Sequence, residues 1–229
     1  MLKEDLPLLA KRALKHILCR PGEIIYSSHE TLSKGDIYLL GLNPGGKPFI
    51  TIEQHIDDML TRTKNSFVDE NWKRQQCEPL QLQDVDKAPL QKRVVQLLVD
   101  LGYDVRTVCA SNLIFQTTTS SETLCFGLAG LCWPVHEAVL GLVQPKLILT
   151  FGNGKDSPYS FIKELVGAHD VEKICPSGHK GFICRGFHTI INGNKLFVAG
   201  LPHLSRYNPV GKVTVIEWIK NEAGISIFL

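Results

Sequence analysis

Residues 36–46 read DIYLLGLNPGG. Ile37, Tyr38, Leu39 and Leu40 make a short apolar run, the pattern of a strand buried on both faces. Asn43, Pro44, Gly45 and Gly46 then impose a tight loop. The glycines of that loop carry no side chains, so a ligand can come close to the backbone.

Working outward, residues 4–19 place Leu9, Ala13, Leu14, Ile17 and Leu18 at helical spacing, and Pro21-Gly22 stops the helix. After the loop, Ile52, Ile56, Met59 and Leu60 mark another helix. Residues 65–88 are polar and weakly periodic, which predicts an excursion outside the core. A helix returns from Leu90 to Leu101, with Gly102 as its cap. VCASNLIF, residues 108–115, is a second buried strand. A helix is expected to begin near Trp133, with Pro134 in its first turn, and to run through Leu142.

KLILTFG, residues 146–152, is the third strand, and SPYSFIKELVG supplies a helix that ends at Gly167. Residues 181–200 read as a hairpin around Asn192-Gly193-Asn194. Its second arm, LFVAGL, is the fourth buried strand and leads into PHLSRYNP, residues 202–209. A last helix spans Val213 to Lys220, before an ISIFL tail.

Apolar strands alternating with helices predict one α/β domain over residues 1–229. The expected architecture is three-layer α/β/α, with a central, mostly parallel four-stranded sheet. Ligands of such sheets bind at the carboxyl ends of the strands. That rule selects three places: GLNPGG, the residues around Asn112, and PHLSRYNP. Asn43 and His203 follow strand ends, while Asn112 lies inside a buried strand and needs a hydrogen-bonding partner or a ligand.

Composition narrows the alternatives. The 25 basic and 23 acidic residues give a net charge of +2, which neither demands nor excludes nucleic acid. Seven cysteines, an odd number with no CxxC pair, signal neither a disulfide framework nor a zinc knuckle. Cys109, Cys125 and Cys132 read as small core side chains. His55, His136 and His169 have no partner at ligand spacing, so no metal is expected. GNGK at 152–155 lacks the phosphate-loop spacing and reads as a strand-to-helix turn. His179, Lys180, Arg185 and His188 fit either phosphate contacts or a solvated hairpin. The N-terminal stretch carries charges through its apolar residues, unlike a signal peptide. No segment offers the roughly 20 apolar residues of a membrane span. The expectation is a monomer, away from membranes, in the cytoplasm or, in a eukaryotic cell, the nucleus.

At this point the motifs become specific. GLNPGG at 41–46 resembles the first motif of the mismatch-specific and the single-strand-selective monofunctional uracil-DNA glycosylases. PHLSRYNP resembles the second motif of the latter group, in which His, Ser, Asn and Pro recur at the spacing of His203, Ser205, Asn208 and Pro209. SNLIF, a helix and QPKLILTFG are similar to the middle of many members of that superfamily. The match covers residues 36–210 in motif order. Leu204 departs from it, standing where a proline is common.

The resemblance implies a monofunctional DNA glycosylase that hydrolyses the N-glycosidic bond of uracil or a related modified pyrimidine. Asn43 would position the attacking water, and His203 would donate a hydrogen bond to the departing base. Asn112 would read the pyrimidine edge, with Gly41, Leu42, Gly45 and Gly46 near the base and Phe49 a candidate stacking aromatic. Ser205 would touch a phosphate, Arg206 and Tyr207 would fill the gap left by the flipped nucleotide, and Asn208 would complete the DNA contact. The partner would be single- or double-stranded DNA carrying a damaged or modified base. No cofactor or iron–sulfur cluster is implied, and no motif lysine is available for a lyase step. Two other readings stay open: a non-catalytic module of the same fold that binds abnormal DNA or nucleotides, and a defence glycosylase for a modified phage base.

Overall fold

The structure is a computed structural model that describes residues 1–46, 50–72, 87–120, 123–168 and 171–225. Its strands are β1 (Ile37–Gly41), β2 (Cys109–Asn112), β3 (Leu147–Phe151), β4 (Lys173–Pro176), β5 (Ile183–Ile191) and β6 (Asn194–Leu201). Its α-helices are α1 (Leu6–Ala13), α2 (Ile52–Asp58), α3 (Ser66–Asp69), α4 (Pro89–Leu101), α5 (Leu128–Val143), α6 (Pro158–Leu165) and α7 (Val213–Ala223).

The strands form one mixed sheet in the order β2-β1-β3-β6-β5-β4. The four strands expected from the apolar runs, β2, β1, β3 and β6, are mutually parallel. Gly41 pairs with Asn112, and Phe151 with Leu201, so their carboxyl ends reach the same edge. The sheet nonetheless has six strands rather than four. β5 joins β6 antiparallel through the Asn192-Gly193 turn, and β4 pairs antiparallel with β5. Both turn residues have positive φ, 53° and 79°, as a two-residue hairpin turn requires. β4 buries only Cys175 and therefore gives no apolar run to read.

Side chains alternate across β1. Tyr38 and Leu40 join Leu6, Ile56, Val139 and Ile162 from α1, α2, α5 and α6. Ile37 and Leu39 join Phe67, Leu97 and Ile219 from α3, α4 and α7. Helices thus cover both faces, which is why the central strands are predominantly apolar.

The outer edge of β2 is also occupied. Residues 21–26 run beside it, with Tyr26 N donating to Ala110 O at 2.8 Å and Glu23 N to Phe115 O at 3.0 Å. Bridges at Gly22↔Gln116 and Ile25↔Ser111 mark the seam as antiparallel. This seam removes one bare sheet edge.

Four sequence expectations need correction. The first helix ends at Ala13; beyond it the chain tightens into turns in which Ile17 N reaches Leu14 O and Arg20 N reaches Ile17 O. Leu14 and Ile17 stay buried through those turns. The helix expected at Trp133 starts earlier, at Leu128, because the apolar pattern extends upstream. Pro134 lies inside it, where its missing N–H removes one intrahelical bond. Within 65–88, Ser66 and Phe67 are buried rather than outside the core, and 73–86 lie outside the described residues. Cys125 is exposed, whereas Cys109 and Cys132 are core side chains. Among the described residues, no helix is long and apolar enough to cross a membrane.

Candidate functional site

The loops after β1, β3 and β6, together with the end of β2, enclose a cleft of about 1360 Å³. Asn43, Asn112 and His203 all line it, although they lie far apart in the chain. Leu42, Gly45, Gly46, Ser205 and Arg206 line it as well. Tyr207 and Asn208 do not, and Phe49 lies outside the described residues.

The Asn43 amide has a fixed orientation. Its Nδ2 donates to Pro44 O at 2.8 Å and to Thr118 Oγ1 at 2.8 Å. A carbonyl can only accept, so the nitrogen must face Pro44. Among the described residues no donor is bonded to its Oδ1, and Asn43 lines the cleft. Thr118 in turn is held by its own N–H on Pro44 O, 3.1 Å away, and by the Gly45↔Thr118 bridge. The strand that continues from β2 thereby braces the GLNPGG loop.

Asn112 sits over Gly41 on the neighbouring strand. A Cβ added to Gly41 would collide with Asn112 Oδ1 and come within 2.7 Å of the Phe151 ring. Gly41 therefore contributes empty space, and the amide and the aromatic ring meet across it. Phe151 also contacts the His203 ring edge-on, with centroids 6.0 Å apart. Asn112, Phe151 and His203 so form one row along the carboxyl ends of the parallel strands.

His203 has a defined tautomer. Ser205 N donates to Nδ1 at 3.2 Å, and Ser205 Oγ lies 2.7 Å from the same atom. A backbone N–H cannot accept, so Nδ1 carries the lone pair and the neutral ring holds its proton on Nε2. Partial burial, then the Arg206 charge, hold the imidazole below its ordinary pKa. The ring is therefore a neutral Nε2–H donor at physiological pH.

The chain after Pro202 closes one helical turn, with Arg206 N and Tyr207 N both reaching His203 O at 2.9 and 3.0 Å. That turn puts Leu204 and Tyr207, three apart, on the inner side. Both are fully buried, and Arg93 Nη1 holds Leu204 O at 2.6 Å. Tyr207 is thus no wedge: it is a core side chain whose hydroxyl donates to Ser177 O at 2.9 Å. Tyr207→Phe should lower stability by about 1–3 kcal/mol, because the buried Ser177 carbonyl loses its partner. Thermal unfolding would register this as roughly 2–4 °C per kcal/mol, with binding at the cleft unchanged. Arg206, exposed beside His203, keeps the outward position that Tyr207 loses.

Sequence reasoning missed several groups on the cleft wall. Glu23 and Tyr26 arrive along the seam beside β2, and Phe67 and Trp72 stack against Tyr26. The signal available was a lone acid in the apolar stretch GEIIY. Burial, then repulsion from Glu70, pushes the Glu23 carboxyl up to about 7, against the pull of Arg62. Lys155 is exposed on the rim, carried there by the strand-to-helix turn before α6. In the hairpin cluster, Arg185 binds Glu172 at 2.6 Å and His188 binds Glu222 at 2.9 Å, so both have protein partners. Among the described residues, no group of three or more His, Cys, Asp or Glu is arranged to hold a metal ion.

No protein-family model matches the chain, and no curated protein matches its sequence significantly. The site's chemistry therefore stands on its geometry: an oriented acceptor, a buried amide and a neutral donor facing one cleft.

Proposed function

We propose that the chain is a monofunctional DNA glycosylase of the uracil-DNA glycosylase type, hydrolysing the N-glycosidic bond of uracil or a related modified pyrimidine. The observation that carries this reading is the opening of Asn43, Asn112 and His203 onto a single cleft, with the His203 proton on Nε2. A base swung out of the DNA stack enters the cleft, and its edge meets the Asn112 amide. As the bond between C1′ and the base nitrogen breaks, its electron pair goes to the base. The His203 Nε2–H stabilises that growing negative charge. The sugar becomes strongly electrophilic, so a water held by Asn43 Oδ1 needs orientation more than deprotonation. Water oxygen bonds C1′, and once that bond has formed the extra proton passes through solvent to the departed base anion. Exposed Arg206 and Lys155 supply positive charge at the rim, where DNA phosphates would run.

The test is a uracil-containing oligonucleotide followed by alkali. The protein should produce alkali-dependent breaks, and Asn43→Ala should reduce them on the order of 10²-fold through lost positioning. Breaks without alkali would point instead to a lyase step, for which Lys155 is the lysine at the cleft. Salt-dependent DNA binding with no release of any modified base would replace the enzyme with a binding module.

A further inference from the structure

Glu23 has no part in the mechanism above, yet it faces the same cleft. The antiparallel seam along β2 brings Glu23 and Tyr26 next to the strand that carries Asn112. The Tyr26 hydroxyl lies against the Asn112 side chain and within the field of Glu23. Glu23 Oε2 is shut off from solvent and has no hydrogen-bond partner among the described residues. Buried polar atoms without partners are rare and ask for an explanation. A carboxyl with an enclosed, unmatched oxygen, on a residue that lines the cleft beside Asn112, is a recognition element waiting for its complement.

We propose that Glu23 reads the exocyclic substituent of the base whose edge meets Asn112, and so decides which pyrimidines the cleft accepts. This rests on the glycosylase reading of the cleft. Its chemistry follows from the groups around it. Glu70 repels the ionised form, Arg62 favours it, and the Tyr26 hydroxyl shares the wall. His55, from α2, accepts the adjacent Ile24 N–H at 2.6 Å and is kept neutral by burial, with its pKa pushed down to about 3. Burial outweighs the Arg62 charge, so the Glu23 carboxyl holds its proton up to about pH 7. A protonated carboxyl offers an O–H donor. It donates to an exocyclic oxygen, as in uracil, more strongly than its remaining carbonyl accepts from an exocyclic amine, as in cytosine. Above that pH the carboxylate reverses the preference, favouring the amine and repelling the oxygen.

The experiment compares affinity for two 2′-fluoro oligonucleotides, one with uracil and one with cytosine at the same position, which resist hydrolysis. For the wild type, the uracil-over-cytosine ratio should fall about tenfold per pH unit above about pH 7. Glu23→Gln keeps an N–H donor at every pH, so its ratio should stay high and flat. Glu23→Ala should flatten the ratio, leaving it below the wild type under about pH 7 and above the wild type at higher pH. A Glu23→Gln slope equal to the wild type, or a wild-type ratio in Glu23→Ala, overturns the proposal. Base release from a cleavable uracil substrate, with a ratio that ignores pH, removes the role of Glu23 and leaves the glycosylase reading. A pH-dependent ratio without any base release does the reverse.

Discussion

His203→Ala should slow base release by about 10²–10³-fold, the measured worth of one preorganised donor at a developing anion. The loss should fall on the chemical step, because in the proposed mechanism His203 would meet charge that appears only as the glycosidic bond breaks. Single-turnover release from a uracil oligonucleotide measures it, with DNA affinity measured in parallel. The neutral tautomer sharpens the expectation. Since Ser205 N donates to Nδ1, the ring already presents Nε2–H and needs no proton from solvent. The imidazole pKa lies below its ordinary value, so acidification is the direction in which the ring changes state. Measured in Glu23→Gln protein, which lacks the Glu23 titration, base release should therefore be constant through neutrality and change only at lower pH. Glutamine at 203 keeps an N–H donor and should recover part of the loss. A His203→Ala protein with wild-type release rates would remove the histidine from the mechanism and leave the cleft without its leaving-group donor.

The legible part of this fold was the part buried on both faces. β1, β2, β3 and most of β6 are buried, in predominantly apolar stretches of sequence, and the parallel core they build follows from that pattern. β4 has one inward residue, Cys175, and so leaves no trace in the hydrophobic pattern. β5 could be read as a hairpin arm, but alternation reveals which side is buried and not which sheet a strand will extend. The site divides in the same way. Asn43, Asn112 and His203 could be found because parallel topology brings strand ends together. Tyr207 was misplaced because the chain after Pro202 curls into a helical turn, and its spacing from Leu204 turns the ring inward. Glu23 and Tyr26 were missed because they reach the cleft along a seam of isolated bridges rather than a regular strand.

Gly41→Ala should disturb the packing and the candidate site together. The added Cβ meets Asn112 Oδ1 and the Phe151 ring together, and these belong to two different strands flanking β1. Neither neighbour has room to yield: Asn112 and Phe151 are each only 6% exposed. Overpacking of this kind costs about 1–3 kcal/mol, which thermal unfolding would detect. The functional loss should exceed what that destabilisation explains. Moving the ring disturbs His203, its edge-on neighbour, and moving the amide disturbs the base-facing group, so base release should fall below detection in protein that still folds. Gly45→Ala is the matched control. Among the described residues nothing lies within 4 Å of a Cβ at Gly45, so that substitution should leave stability unchanged. Any activity lost in Gly45→Ala at unchanged stability would then report a ligand approaching the loop from the cleft. If Gly41→Ala unfolds at the wild-type temperature and releases base at the wild-type rate, the packing of Asn112 against Phe151 over this glycine has no role in the site.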